Sequence, residues 1–184
     1  QVNPLWQTPI VPLLYLLSAI LMGYGVVLFE SCLASAAYRR EIETVILGPM
    51  AKVMLGMLGV YLIVRVVDLA VRGAWGNAFS FGLVAIFFWI EMILFCLPFA
   101  LVGTADARRN PARLFLGGVS IMLAGAFLRL NGYLIGFDTG PGWQYFPSIP
   151  ELLVTMGMTA VAVLGFIVVT RLFPVLPREE ASAN

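Results

Sequence analysis

The chain has 184 residues, of which 61% are hydrophobic and 11% charged, with a mean hydropathy of +0.96 and a formal net charge of +1. Soluble domains carry about 25% charged residues, so water is excluded as the main solvent of this protein. There is no basic tract of the kind that gathers phosphates, which argues against a nucleic-acid partner.

The chain opens QVNPLWQTP, without Met, basic n-region or small-residue cleavage site. That opening is expected of one part of a longer protein rather than of a signal peptide. Five apolar stretches follow, each long enough to cross a hydrocarbon core of roughly 30 Å as a helix. They lie at about residues 9–34, 46–71, 78–103, 113–136 and 150–174, predicting an all-α integral membrane bundle of five transmembrane helices. The connections are short, with turn signals at Gly48-Pro49, Gly73, Gly76 and Asn110-Pro111. Only the fourth connection is long. It reads GFDTGPGWQYFPSIPE, and its aromatic residues Trp143, Tyr145 and Phe146 suit contact with a partner.

Lys and Arg are retained on the cytoplasmic side of a membrane protein, which orients the chain. Arg39 and Arg40 in the first loop, Arg108, Arg109 and Arg113 in the third, and Arg178 in the tail fall on one side, against Arg72 alone on the other. The amino-terminal end is therefore expected outside and the carboxyl terminus in the cytoplasm. Trp6, Trp75 and Trp143 fall on the outer side, as interface anchors do.

Six ionisable residues lie within these spans: Glu30, Lys52, Arg65, Asp68, Glu91 and Arg129. Each costs at least ~2.5–3.5 kcal/mol at a helix centre, so each must pair, line water or do chemistry. Three acids and three bases can neutralise one another, which excludes an all-acid pore. At ~1.5 Å per residue the acids form levels from the outer side inward: Asp68, with Glu151 beside it at the start of the fifth stretch, then Glu91, then Glu30. Those levels stand roughly 10–15 Å apart on the same rise, so waters would have to bridge them.

Arg65 and Asp68 share a helical face at i, i+3 and are placed to pair, a bond that would simply order the second helix. Arg129 is placed to bridge to Asp68 or Glu91, and Lys52 to snorkel to the inner interface. Glu91 has the strongest case for proton exchange, because its flanks FFWIEMILF offer nothing to hydrate a charge. Glu30 is a shallower version of the same case. Asn131 and Tyr133 could fix waters or a carbonyl head group, although Tyr at a helix end more often anchors at the interface. Cys32 and Cys96 are far apart, without metal-site spacing, and read as packing residues; no metal site is expected. Histidine is absent, which argues against an intrinsic haem b.

Four segments in order carry a family resemblance: NPLWQTPIVPLLYLLSAILMGYGVVLFE, FWIEMILFCLPF, FLRLNG and GWQYFPSIPELLVTMGM. Together they resemble the carboxyl-terminal half of the NrfD-like membrane subunits, and within them the HybB-type subunit of periplasm-facing nickel–iron hydrogenases. The likeness covers nearly the whole chain. It implies a multi-pass subunit of the bacterial inner membrane with no cofactor of its own, no haem, and quinone as substrate. Its implied partners are a periplasmic iron–sulfur electron-transfer subunit, a catalytic subunit, and the other half of a two-bundle membrane subunit.

On that resemblance Glu30 and Glu91 match the family's buried, proton-carrying acids. Arg129 and Asn131 match its RLN motif, and Trp143 to Pro147 its outer loop. Two other readings compete with a quinone-reactive anchor. Buried charges at several depths also mark an ion or solute transporter, and a bundle locked by its charges could serve as a passive anchor.

Overall fold

The computed structural model describes residues 3–37, 43–80, 82–136 and 148–172. The chain divides into two units, Gln1–Trp143 and Gln144–Asn184, which are treated separately. All regular structure among the described residues is helical. Helices α1 (Val11–Ala37), α2 (Thr44–Val71), the single turn α3 (Trp75–Ala78), α4 (Leu83–Val102) and α5 (Pro111–Leu130) make up the first unit. A π-helical turn, Asn131–Ile135, continues α5. Helix α6 (Ile149–Leu172) belongs to the second unit and carries Glu151 in its first turn, where an acid meets the positive end of the helix dipole.

Four described helices are long and apolar enough to cross a membrane: Val11–Ala37, Thr44–Val71, Leu83–Val102 and Pro111–Ile135. The expectation of five spans is thus met for four. Within the third expected stretch, 78–103, α3 ends at Ala78 and α4 begins at Leu83, and the Ala78 carbonyl accepts from the Trp89 indole at 2.9 Å.

Local chemistry sets the helix ends. Asn110 caps α5 by accepting from the Ala112 and Arg113 amides at 3.0 and 3.3 Å, with Pro111 at the first helical position where no N–H is needed. Helix α2 ends at Gly73, whose φ of 63° only glycine adopts cheaply. The Gly73 amide reaches the Ala70 carbonyl and the Ala74 amide the Leu69 carbonyl, the paired bonds of a Schellman stop.

Helix α5 is the centre of the first unit, packed chiefly against α1 and α4. Its contact with α1 is a backbone crossing of two glycines. A methyl group added at Gly118 would stand 2.8 Å from the Gly25 carbonyl oxygen, and one at Gly25 would stand 3.0 Å from that of Gly118. Between membrane helices the hydrophobic drive is absent, and close approach of small residues supplies dispersion contact instead.

The contact with α4 is polar at one level. Pro98 has no N–H to give the carbonyl one turn back, that of Leu94. Ser120 of α5 donates to that carbonyl at 2.7 Å, so the break in the ladder is mended from the neighbouring helix, as lipid demands.

Candidate functional site

Glu91 sits midway along α4 and is wholly inaccessible, at 0% exposure. Three elements converge on it. From the end of α5, where the ladder shifts to π spacing, the Asn131 side-chain amide donates to Oε2 at 2.7 Å and to the Phe87 carbonyl at 3.2 Å. Single π turns are frequent at functional sites because they re-aim a side chain. From the amino-terminal segment, the Trp6 indole N–H donates to the same oxygen at 3.1 Å. From α2, Arg65 brings Nη2 to 3.7 Å from Oε1, itself 1% exposed, with its guanidinium 5.8 Å from the centre of the Phe88 ring.

The Arg65–Glu91 separation matters. At 3.7 Å the pair attracts but is too long for a direct hydrogen bond. Around it, Glu91 Oε1, Arg65 Nε and Nη2, Asn131 Oδ1 and the Tyr61 hydroxyl are all buried without a protein hydrogen-bond partner. Natural interiors leave few such atoms unsatisfied. Five in one cluster mark a place for ordered water.

Trp6 reaches Glu91 because the segment before α1 is folded onto the bundle. The Asn3 amide bonds to the Gly136 carbonyl at 2.6 Å, and Arg72 clamps the carbonyls of Pro4 and Gln7 at 2.6 and 2.8 Å. Asp68 completes the clamp: it accepts from Arg72 at 2.5 Å and from the Thr8 hydroxyl at 2.6 Å. Leu5 and Trp6 are buried as a result. The reading of Trp6 as an interface anchor is therefore corrected, since its indole has a buried carboxylate as partner.

The expected pairings are redistributed. Arg65 pairs electrostatically with Glu91 across helices instead of with Asp68, which takes the i, i+4 partner Arg72. Arg129 reaches neither acid. One of its nitrogens lies 2.8 Å from the Gly125 carbonyl and 3.1 Å from the Met22 sulfur, and its guanidinium stands 5.8 Å from the centre of the Tyr15 ring. Asn131 enters the Glu91 cluster, whereas Tyr133 is 71% exposed and tilts against Tyr15 at 5.7 Å. Glu30 and Lys52 are both exposed on the outer surface of their helices, so Glu30 shares no interior with Glu91. Trp143, Tyr145 and Phe146 lie outside the described residues, as do Arg39, Arg40 and Arg178.

Sequence reasoning missed Tyr61 and Trp6. Tyr61 packs on Phe95 with ring centres 4.4 Å apart and is fully buried. Its position one turn before Arg65 on α2 was the available signal.

Comparison with known proteins bears on this arrangement. The chain is 33% identical over 180 residues to the probable Ni/Fe-hydrogenase 2 b-type cytochrome subunit of Escherichia coli (strain K12). The match covers 96% of this chain and 46% of the relative, so the chain spans about half the relative's length. It supports kinship with hydrogenase b-type cytochrome subunits. No family model and no solved structure matches.

The relative's name corrects one expectation. A b-type cytochrome carries haem, which overturns the inference of a haem-free subunit drawn from the missing imidazoles. This chain brings no imidazole to such a group, and among the described residues the Cys32 thiol turns to the Pro111 carbonyl and the Met22 sulfur is engaged by Arg129. More than half of the relative lies outside the match.

Proposed function

We propose that the chain is part of a quinone-reactive membrane subunit of a respiratory, hydrogenase-like oxidoreductase, with Glu91 as its proton-exchanging carboxylate. Likeness to a hydrogenase subunit supports the setting. The single observation that carries the chemistry is a wholly buried carboxylate held by Arg65, Asn131 and Trp6, with buried unsatisfied polar atoms on it and on its neighbours. A carboxylate so placed is costly unless it serves.

In this reading a periplasmic iron–sulfur subunit, joined to a catalytic subunit, exchanges electrons with quinone at the membrane, and the protons of that exchange move by way of Glu91. Two fixed donors on Oε2 hold the carboxyl group in one orientation and leave Oε1, facing Arg65, to take or release the proton. Water between Oε1, Arg65 and the Tyr61 hydroxyl carries it onward. Glu30 enters as a second station, on a face that further membrane helices of the complete subunit would cover. The bilayer is the bacterial inner membrane, crossed also by α6, with the amino-terminal segment of this chain periplasmic and the carboxyl terminus cytoplasmic.

A passive anchor is favoured by one observation, the mutual neutralisation of Arg65 and Glu91. Glu91→Gln in the intact complex separates the two. Loss of quinone-linked turnover with assembly preserved supports proton exchange at Glu91. Full turnover in that variant leaves the passive anchor.

A further inference from the structure

The end of α2 remote from Asp68 carries a second polar feature, unconnected with Glu91. The first turns of α2 and the turn that precedes α5 border an open cleft of about 600 Å³ whose lining includes Thr44, Gly48, Lys52, Ala105, Arg108 and Arg109. Among the described residues that line it, three are cationic and none is acidic. Arg108 is fixed in place, because one of its nitrogens is held by the Val102 and Gly103 carbonyls at 3.0 and 2.8 Å, closing the end of α4. Lys52 and Arg109 are exposed and make no ion pair with the described residues. Three positive charges turned on one cleft repel one another unless an anion lies between them.

The surroundings say which anion. Lys52 lies inside a membrane-crossing helix, and its side chain is directed back toward the helix start and the bilayer boundary. Beyond it along α2, Val53, Gly56 and Val60 continue one outward face, with both valines more than half exposed and open space over Gly56. A free phosphate has no use for that apolar strip. A phospholipid does, since its acyl chain would lie there while its phosphate sits among the cations. Basic pockets at helix ends recognise anionic head groups in this way.

We propose that this cleft binds the phosphate of an anionic phospholipid, between Lys52, Arg108 and Arg109, with one acyl chain along the Val53–Gly56–Val60 face. The test uses the full-length protein in nanodiscs of phosphatidylcholine doped with phosphatidylglycerol or cardiolipin, with bound lipid quantified by mass spectrometry after detergent extraction. Anionic lipid is expected to be retained over phosphatidylcholine. Lys52→Gln with Arg109→Gln should lower that affinity about thirty-fold, the worth of two basic residues at an anionic surface. Lys52→Arg with Arg109→Lys should restore it, and Arg113→Gln, at an exposed residue outside the lining, should leave it unchanged. Inorganic phosphate in millimolar excess should not displace the lipid. Equal retention of neutral and anionic lipid, undiminished binding in the Gln pair, or displacement by phosphate, which would make this a site for free anions, overturns the proposal.

Discussion

Trp6 and Glu91, 85 positions apart in the chain, meet indole to carboxylate at 3.1 Å. The bond ties the segment before α1 to the middle of α4, and it makes a residue outside every span part of the buried site. Hydrogen bonds to charged groups are worth about 1.5–3 kcal/mol. Trp6→Phe keeps an aromatic ring, though a smaller one, and removes the donor, so thermal unfolding in detergent should show a loss of at least that range, and limited proteolysis should cut the first ten residues faster. An unchanged melting curve would mean the contact adds nothing.

Arg65 and Glu91 offer a double-mutant cycle. Removing either partner alone strands a buried charge, at a cost of about 3–5 kcal/mol. Glu91→Gln with Arg65→Gln strands none, so the double variant should be more stable than the sum of the single losses, by a coupling of about 0.5–3 kcal/mol. Denaturant titration of the four proteins measures it. Additive losses would show that the two side chains act independently.

Tyr61 tests for water beside the carboxylate. Its hydroxyl has no protein partner. If the site were dry, Tyr61→Phe would remove an unsatisfied group and stabilise the fold. With water in the gap the same change should destabilise by about 1 kcal/mol and slow quinone-linked turnover.

The Pro98 break gives a compensation experiment. Ser120→Ala strands the Leu94 carbonyl and should cost about 1 kcal/mol, with membrane hydrogen bonds averaging ~0.6 kcal/mol and reaching ~1.7. Pro98→Ala restores the helical N–H, so Ser120→Ala should cost less in that background. Equal costs in the two backgrounds would assign the Ser120 bond no part in mending the break.

At the α1–α5 crossing, Gly118→Leu should break the contact and give aggregated protein on size-exclusion chromatography, because the added side chain meets backbone. Gly23→Ala, on the open face of α1 with nothing within 4 Å, should behave as the parent.

The helices were legible because a bilayer requires about 20 apolar residues per crossing, and apolar runs of that length are hard to miss. Glu91, Arg65 and Asn131 were legible as polar residues in apolar company. Their partners were not. A helix apolar on all sides does not say which side faces inward, so Glu30 and Glu91 look alike in sequence, yet one is exposed and the other sealed. Asp68 has a base at both i−3 and i+4, and only the folded amino-terminal segment, with Thr8 and the carbonyls that hold Arg72, decides for Arg72. Trp6 read as an interface anchor because no local pattern announces a partner 85 residues away.

In the proposed function, Glu91 changes protonation as quinone is reduced and reoxidised. Infrared difference spectroscopy of the intact complex, cycled between oxidised and reduced quinone, follows carboxyl groups directly. A carboxylic-acid C=O band that appears or vanishes with the redox state, shifts in D2O and is missing from Glu91→Gln is the result expected. A difference spectrum in that region identical for the parent and Glu91→Gln would mean that Glu91 takes no part in the proton exchange.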